Sequence, residues 1–215
     1  VNESREREFW TPEPIWLGRT CFLLGGGPSL TQADCDRLEG LPAMAINSSH
    51  LKAPWAPVLF FTDSGWYERH REVVRDWPGI VVSVSRTAKR ELPDTVKRVE
   101  GIHSPDGFPP VGTPAIRQGR SSGHTGVSLA AALGANRIVL LGYDMRAVDG
   151  RTHHHDDYVH NGNDAEVYAR EFVPMFAGWN AAALKSGIEI VNATPGSALT
   201  EFPFVTLDEI LCEAS

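Results

Sequence analysis

Cysteine is scarce in this chain: Cys21, Cys35 and Cys212 are its three. An odd number without Cys-x-x-Cys spacing points to neither a disulfide framework nor a thiolate zinc site. Long hydrophobic runs are missing as well, and none approaches the roughly 20 apolar residues of a membrane-spanning helix. The charged start Glu3-Ser4-Arg5-Glu6-Arg7-Glu8 carries no apolar signal-peptide core. A cytoplasmic protein with no membrane partner is expected. Basic excess is absent, with 20 Lys and Arg against 27 Asp and Glu and a net charge of -7. That balance disfavours a surface built to coat duplex nucleic acid, although a nucleic-acid acceptor stays open. No internal repeat and no phosphate-loop lysine is found.

The 215 residues, 42% of them hydrophobic, suffice for one sizeable α/β domain and not for two large ones. Residues 1–20 are polar with isolated aromatics and read as an N-terminal arm. Residues 21–215 read as the domain, with a lid at about 145–175. The stretch Cys21-Phe22-Leu23-Leu24-Gly25-Gly26-Gly27-Pro28-Ser29-Leu30 has the order strand, tight turn, helix start. Glycines allow positive φ and bring bare N–H groups near a ligand, and a helix start adds unpaired donors and partial positive charge. Gly25, Gly26, Gly27 and Ser29 are therefore candidate phosphate-binding residues.

Further strands are predicted at Pro42–Asn47, Pro57–Asp63, Ile80–Val84, Arg137–Asp144 and Ile188–Asn192. Several are continuous apolar runs of the kind found in sheets covered on both faces. Helices are expected at Thr31–Leu38, Trp66–Trp77, from Ser121 and Ser122 to Gly134, from Asp164 to Ser186 with a break near Pro174, and at Leu207–Cys212. Residues Gly101–Arg120 read as a long irregular connection, and Arg86, Lys89, Arg90, Lys97 and Arg98 as a solvated surface. The alternation predicts a single doubly wound, mostly parallel, Rossmann-like sheet. In such sheets ligands bind beyond the carboxyl ends of the strands, so the glycine turn, Asn47 and Asp63 should meet at one rim. Asp63 either contacts a ribose or an acceptor amine or caps the following helix. Ser121, Ser122 and Gly123 open a second anion-friendly helix start, and Tyr143 and Asp144 end the strand beside it.

Arg151–Asn163 packs His153, His154, His155, Asp156, Asp157, Tyr158 and His160 together without apolar periodicity. Histidine and carboxylate are ligands for divalent metals. A metal site would take two or three of His153, His155 and Asp156 plus a distant partner such as His124 or Asp144. Without metal, the run is a lid for acceptor recognition or proton transfer.

These motifs together resemble the bacterial sialyltransferases of the Campylobacter type and their wider relatives. Those relatives include the domain-of-unknown-function proteins of flagellin glycosylation and an archaeal pterin pyrophosphokinase. Leu140-Leu141-Gly142-Tyr143-Asp144-Met145, Gly150-Arg151-Thr152-His153-His154-His155-Asp156 and Val191-Asn192-Ala193-Thr194-Pro195-Gly196-Ser197-Ala198-Leu199 are similar to small phage and prophage members. The resemblance spans residues 20–210 and implies a nucleotide-binding domain that transfers a sugar from a CMP- or UDP-type donor. The implied acceptor is a glycan, a protein or modified DNA in a bacterial cell, and a homo-oligomer stays open. The family's asparagine in the glycine turn is replaced by Gly26, whereas Asn47 and Ser122 match. Tyr143 and Tyr158 fall nearest the tyrosines that contact phosphate. His160, or else His155, falls nearest the lid histidine that serves as general base. An ATP- and magnesium-dependent pyrophosphokinase and a catalytically degenerate nucleotide-binding or virion-associated module are the alternatives. No cofactor is required by the sugar-transfer reading, and a divalent metal stays open.

Overall fold

A computed structural model describes residues 9–84, 92–103, 107–157 and 165–213. Strand β1 (Thr20–Leu24) alternates its side chains between two faces, Cys21 and Leu23 on one and Phe22 and Leu24 on the other. All four are buried. The same two-sided burial governs β2 (Ala43–Ile46), β3 (Val58–Phe61) and β8 (Arg137–Leu141). This explains why their sequences read as unbroken apolar runs.

The fold is α/β, with a seven-stranded, all-parallel sheet in the order β5-β4-β3-β2-β1-β8-β9. Strands β4 (Ile80–Ser83), β5 (Lys97–Arg98) and β9 (Glu189–Asn192) complete it. One face is covered by α4 (Ser122–Ala132) and α5 (Trp179–Lys185), and the other by α1 (Gln32–Asp36), α2 (Ser64–Arg69), α3 (Arg71–Asp76) and α6 (Leu207–Glu213). The sheet is doubly wound and Rossmann-like. The chain runs outward from β1 to β5 and then returns to add β8 and β9 on the other side of β1. Order therefore reverses between β1 and β8, which pair from Thr20↔Arg137 to Leu24↔Leu141. Beyond the carboxyl ends of such a pair an open α/β sheet leaves a crevice.

Helix α4 is buried along nearly its whole length. Its small residues permit this: a Cβ on Gly126 would lie 3.0 Å from Ile46 Cδ1 and 3.5 Å from Phe60. In the arm, Trp16 is buried and its N–H donates to Leu133 O at 2.9 Å. No helix among the described residues is long and apolar enough to cross a membrane.

Several local expectations are corrected. The helix expected over Trp66–Trp77 is broken at His70 into α2 and α3. The His70 ring stacks on Trp66 at 4.6 Å, and its Nε2 lies 3.1 Å from Asp157 Oδ2. The supposedly irregular Gly101–Arg120 connection contributes to a second, two-stranded parallel sheet of β6 (Glu100–Ile102) and β7 (Ala115–Arg117). Arg98 is buried in β5 rather than solvated, with its guanidinium 5.8 Å from the Phe9 ring. Between Tyr168 and Lys185 the chain forms a π-helical turn (Tyr168–Phe172), a short 3-10 turn (Pro174–Phe176) and α5, with breaks at Pro174 and at Gly178, whose φ is 78°. Residues 158–164, which include Tyr158 and His160, lie outside the described residues.

Candidate functional site

The crevice at the reversal point is a cleft of about 730 Å³. Gly25, Gly26, Gly27, Asn47, Asp63, Ser121, Ser122, Gly123, Tyr143, Asp144, His153 and His155 all line it. Asn47, at the end of β2, holds φ at 51°, and Met145, just past β8, holds φ at 52°. Both also line the cleft. Positive φ is uncommon for residues with a side chain, and such strain clusters at functional rims.

The glycine turn departs from the sequence expectation in a specific way. Positive φ is not its reason, since Gly25, Gly26 and Gly27 are not among the positive-φ glycines. Close approach is. A Cβ on Gly25 would lie 2.6 Å from Gly142 O, and one on Gly27 would lie 1.9 Å from Asp144 Oδ2. Two of the turn's donors are spent internally: Gly25 N–H donates to Leu141 O and Gly27 N–H to Gly142 O, both at 2.8 Å. Ser29, expected to face a phosphate, instead donates its hydroxyl to Asp144 Oδ2 at 2.8 Å and its N–H to the same carboxylate at 3.3 Å. Asp144 is buried, and burial pushes its carboxyl above the usual range against the pull of these Ser29 hydrogen bonds. The internal carboxylate thus takes the two Ser29 donors that were expected to face an external anion.

Gly26 is half-buried and carries the histidine segment above it. His154 N–H donates to Gly26 O at 3.0 Å. A Cβ on Gly26 would lie 3.2 Å from His153 Cδ2 and 3.4 Å from His155 Nε2. The imidazoles occupy the space that a side chain at this position would enter.

The first turn of α4 is built differently. Ser121 is its N-cap and accepts from His124 N–H at 3.1 Å. The Ser122 hydroxyl pairs with Thr62 Oγ1 at 2.7 Å, tying α4 to the end of β3. The N–H groups of Ser122 and Gly123 stand in the first helical turn, where intrahelical acceptors do not exist, at the cleft wall. Tyr143 is fully buried, and its hydroxyl donates to Gly123 O at 3.0 Å. It braces this corner from behind, and burial pushes its phenol well above the usual range. His124, one residue further on, has its Nε2 2.9 Å from Met175 O and packs on Phe176 and Trp179. Burial lowers its pKa to about 4, so at neutral pH its single proton sits on Nε2, donated to that carbonyl. Asp63 does what one of its two sequence readings proposed: Oδ1 caps α2, accepting from Gly65 N–H at 2.7 Å and Trp66 N–H at 3.2 Å, while the residue also borders the cleft.

His153, His155 and Asp156 do not converge on a metal position. Asp156 points to solvent and pairs with Arg151 at 3.3 Å. No group of three or more His, Cys, Asp or Glu side chains among the described residues is arranged to hold an ion. Asp157 is the organising carboxylate of the segment: its Oδ2 accepts from the Ser48 hydroxyl and lies 3.1 Å from His70 Nε2 and 3.4 Å from His155 Nδ1. Burial would raise this carboxyl, but Ser48 and the two imidazoles outweigh it and hold it below the usual range. Burial, together with His154 and His153, lowers His155 to about 3. The segment is thus a set of unprotonated imidazoles, of which His155 lies beside Asp157, His153 between Thr152 and the Tyr168 hydroxyl, and His154 is tied by its N–H to Gly26.

Sequence reasoning assigned no site role to Gln118, Thr152, Tyr168 or Phe172, although all four line the cleft. The only signal for the aromatic pair was its i,i+4 spacing, which equally fits a core-facing helix. The sequence matches no family model and no curated protein.

Proposed function

We propose that the protein is a transferase that takes a nucleotide-activated sugar and passes the sugar to an acceptor hydroxyl. The observation that carries this reading is the cleft itself, which the α4 N-terminal turn shares with a half-buried, unprotonated histidine segment at the sheet's reversal point. Donors already fixed in a helix turn stabilise charge that grows on a departing phosphate without reorganising. The bond from sugar carbon to phosphate oxygen breaks, the acceptor oxygen bonds to that carbon, and the acceptor's proton passes to an imidazole. His155 is the described residue at hand for that proton. Its proton affinity is low in the empty cleft and rises beside a nucleotide phosphate, because negative charge favours the imidazolium. Magnesium-dependent pyrophosphoryl transfer gains no support, since Asp63 is engaged in the α2 cap and Asp144 with Ser29.

The test is a melting-temperature panel of cytidine, uridine, guanosine and adenosine nucleotides, with and without magnesium. Stabilisation by a cytidine or uridine nucleotide without magnesium is expected. A shift with ATP and magnesium alone would replace the reading by pyrophosphoryl transfer. No shift with any nucleotide would reduce the fold to a binding module.

A further inference from the structure

The cleft has two chemically unlike walls. One is backbone and hydroxyl: the α4 first turn, Thr62, Asn47 and Gly26. The other is apolar and aromatic: Met145, Val167, Tyr168 and Phe172, each half-buried and so partly open to the cleft. The aromatic wall is made by the π-helical turn, closed by Val173 N–H donating to Tyr168 O at 2.8 Å. A turn of this width sets positions i and i+4 close to one face, and π turns recur at functional sites. Here it sets the Tyr168 and Phe172 rings edge to face, with centroids 5.5 Å apart at 80°. The Tyr168 hydroxyl is anchored 3.3 Å from both Thr152 O and His153 Nε2, which fixes the ring at the cleft wall.

We infer that the heterocyclic base of the nucleotide lies against the Tyr168–Phe172 wall, and that this pair makes the site select nucleotides over base-free sugar phosphates. The inference rests on the nucleotide reading above. A base is the one part of a nucleotide that gains from an apolar aromatic wall, because every base offers a π face. The glycine turn, where a base would otherwise approach the backbone, is closed to it. His153 and His155 stand over Gly26, and the Asp144 carboxylate lies against Gly27.

Calorimetric titration of the full chain with CMP, UMP, AMP and GMP against ribose 5-phosphate isolates the base, since these ligands otherwise share their ribose and phosphate. The wild type is expected to bind its best nucleotide about tenfold or more tighter than ribose 5-phosphate. Phe172→Leu and Tyr168→Leu should pull that ratio toward one while leaving ribose 5-phosphate binding unchanged. Tyr168→Phe, which keeps the ring, should keep the ratio. Should the leucine variants fail to fold, Phe172→Trp supplies a second readout: its emission should be quenched by the nucleotide and unaffected by ribose 5-phosphate. Equal wild-type affinity for nucleotide and ribose 5-phosphate, an unchanged ratio in folded leucine variants, or a Phe172→Trp signal blind to the base would each overturn the inference while leaving a phosphate site standing. Failure of every ligand to bind would remove the nucleotide reading and the inference with it.

Discussion

At the turn after β1, the Gly25 and Gly27 N–H groups point at the carbonyls of Leu141 and Gly142, and the Ser29 hydroxyl and N–H hold Asp144. At the start of α4, Ser121 and Ser122 spend their hydroxyls on a cap and on Thr62, and the first-turn N–H groups remain at the cleft wall. Both corners combine glycine and serine at a strand-to-helix passage. They differ in what presses on them from behind. The glycine turn is squeezed by the neighbouring strand end, where Gly142 has φ of 69° and turns its carbonyl inward, so removal of Cβ serves backbone-to-backbone packing. The α4 corner is backed by the Tyr143 ring, a flat apolar support that takes a single carbonyl and leaves the N–H side open. Glycine in such a turn is therefore evidence of close approach, and at Gly25 and Gly27 what approaches is protein.

The sharpest way to break this contrast is Gly27→Ala. Its Cβ would meet Asp144 Oδ2 at 1.9 Å, which must swing away from Ser29 to make room, and the Gly142 carbonyl at 2.5 Å, which cannot withdraw without shifting the end of β8. A loss of about 3 kcal/mol is expected, read from the urea midpoint.

Acid should pull the two corners in opposite directions. His124 in α4 has a folded pKa lowered to about 4 from 6.5 by burial. Between these values the unfolded chain binds the proton and the folded chain does not, so stability present above pH 6.5 is lost as pH falls toward 4, by about 2–3 kcal/mol. The Asp144 carboxyl, raised by burial, binds its proton earlier in the folded chain, so its contribution grows as pH falls through that raised value. Melting curves from pH 7 to 4 should show the His124 loss on top of a loss of the same sign from His154 and His155, lowered by burial to about 4 and about 3, and His124→Gln should remove only its own share. Asp144→Asn should deepen the acid loss relative to wild type.

Ser122→Ala sharpens the comparison from the other side. It removes the 2.7 Å bond to Thr62 at about 1 kcal/mol and is expected to weaken nucleotide binding while Ser29→Ala leaves binding unchanged, both by titration. The smallest effect belongs to Gly26→Ala, whose nearest neighbours are the His153 and His155 rings at 3.2 and 3.4 Å. Side chains yield more readily than backbone, and a change within about 0.5 kcal/mol in the urea midpoint is expected.

The sequence revealed the major strands because both faces of the sheet are covered and their apolar runs have no competing period. It also revealed the α4 cap, since Ser-Ser-Gly ahead of a small-residue run is a local signal. Strands β5, β6 and β7 were hidden, because two or three residues carry no period and their pairing is decided by distant partners. The split at His70 was hidden for the same reason: it follows from Asp157, 87 residues away in the chain.

For the glycine turn, the sequence by itself determined that β1 would end in residues without side chains, followed by a helix. Local composition suffices for that, because no other residue tolerates such contact. Only the tertiary structure decided what comes into contact there. The reversal of strand order lays β8 beside β1, and with it come the Gly142 carbonyl and the Asp144 carboxylate that take up the turn's donors. The two stretches with the same local character thus differ: the Gly25 and Gly27 donors turn to protein, while the first turn of α4 stands at the cleft wall.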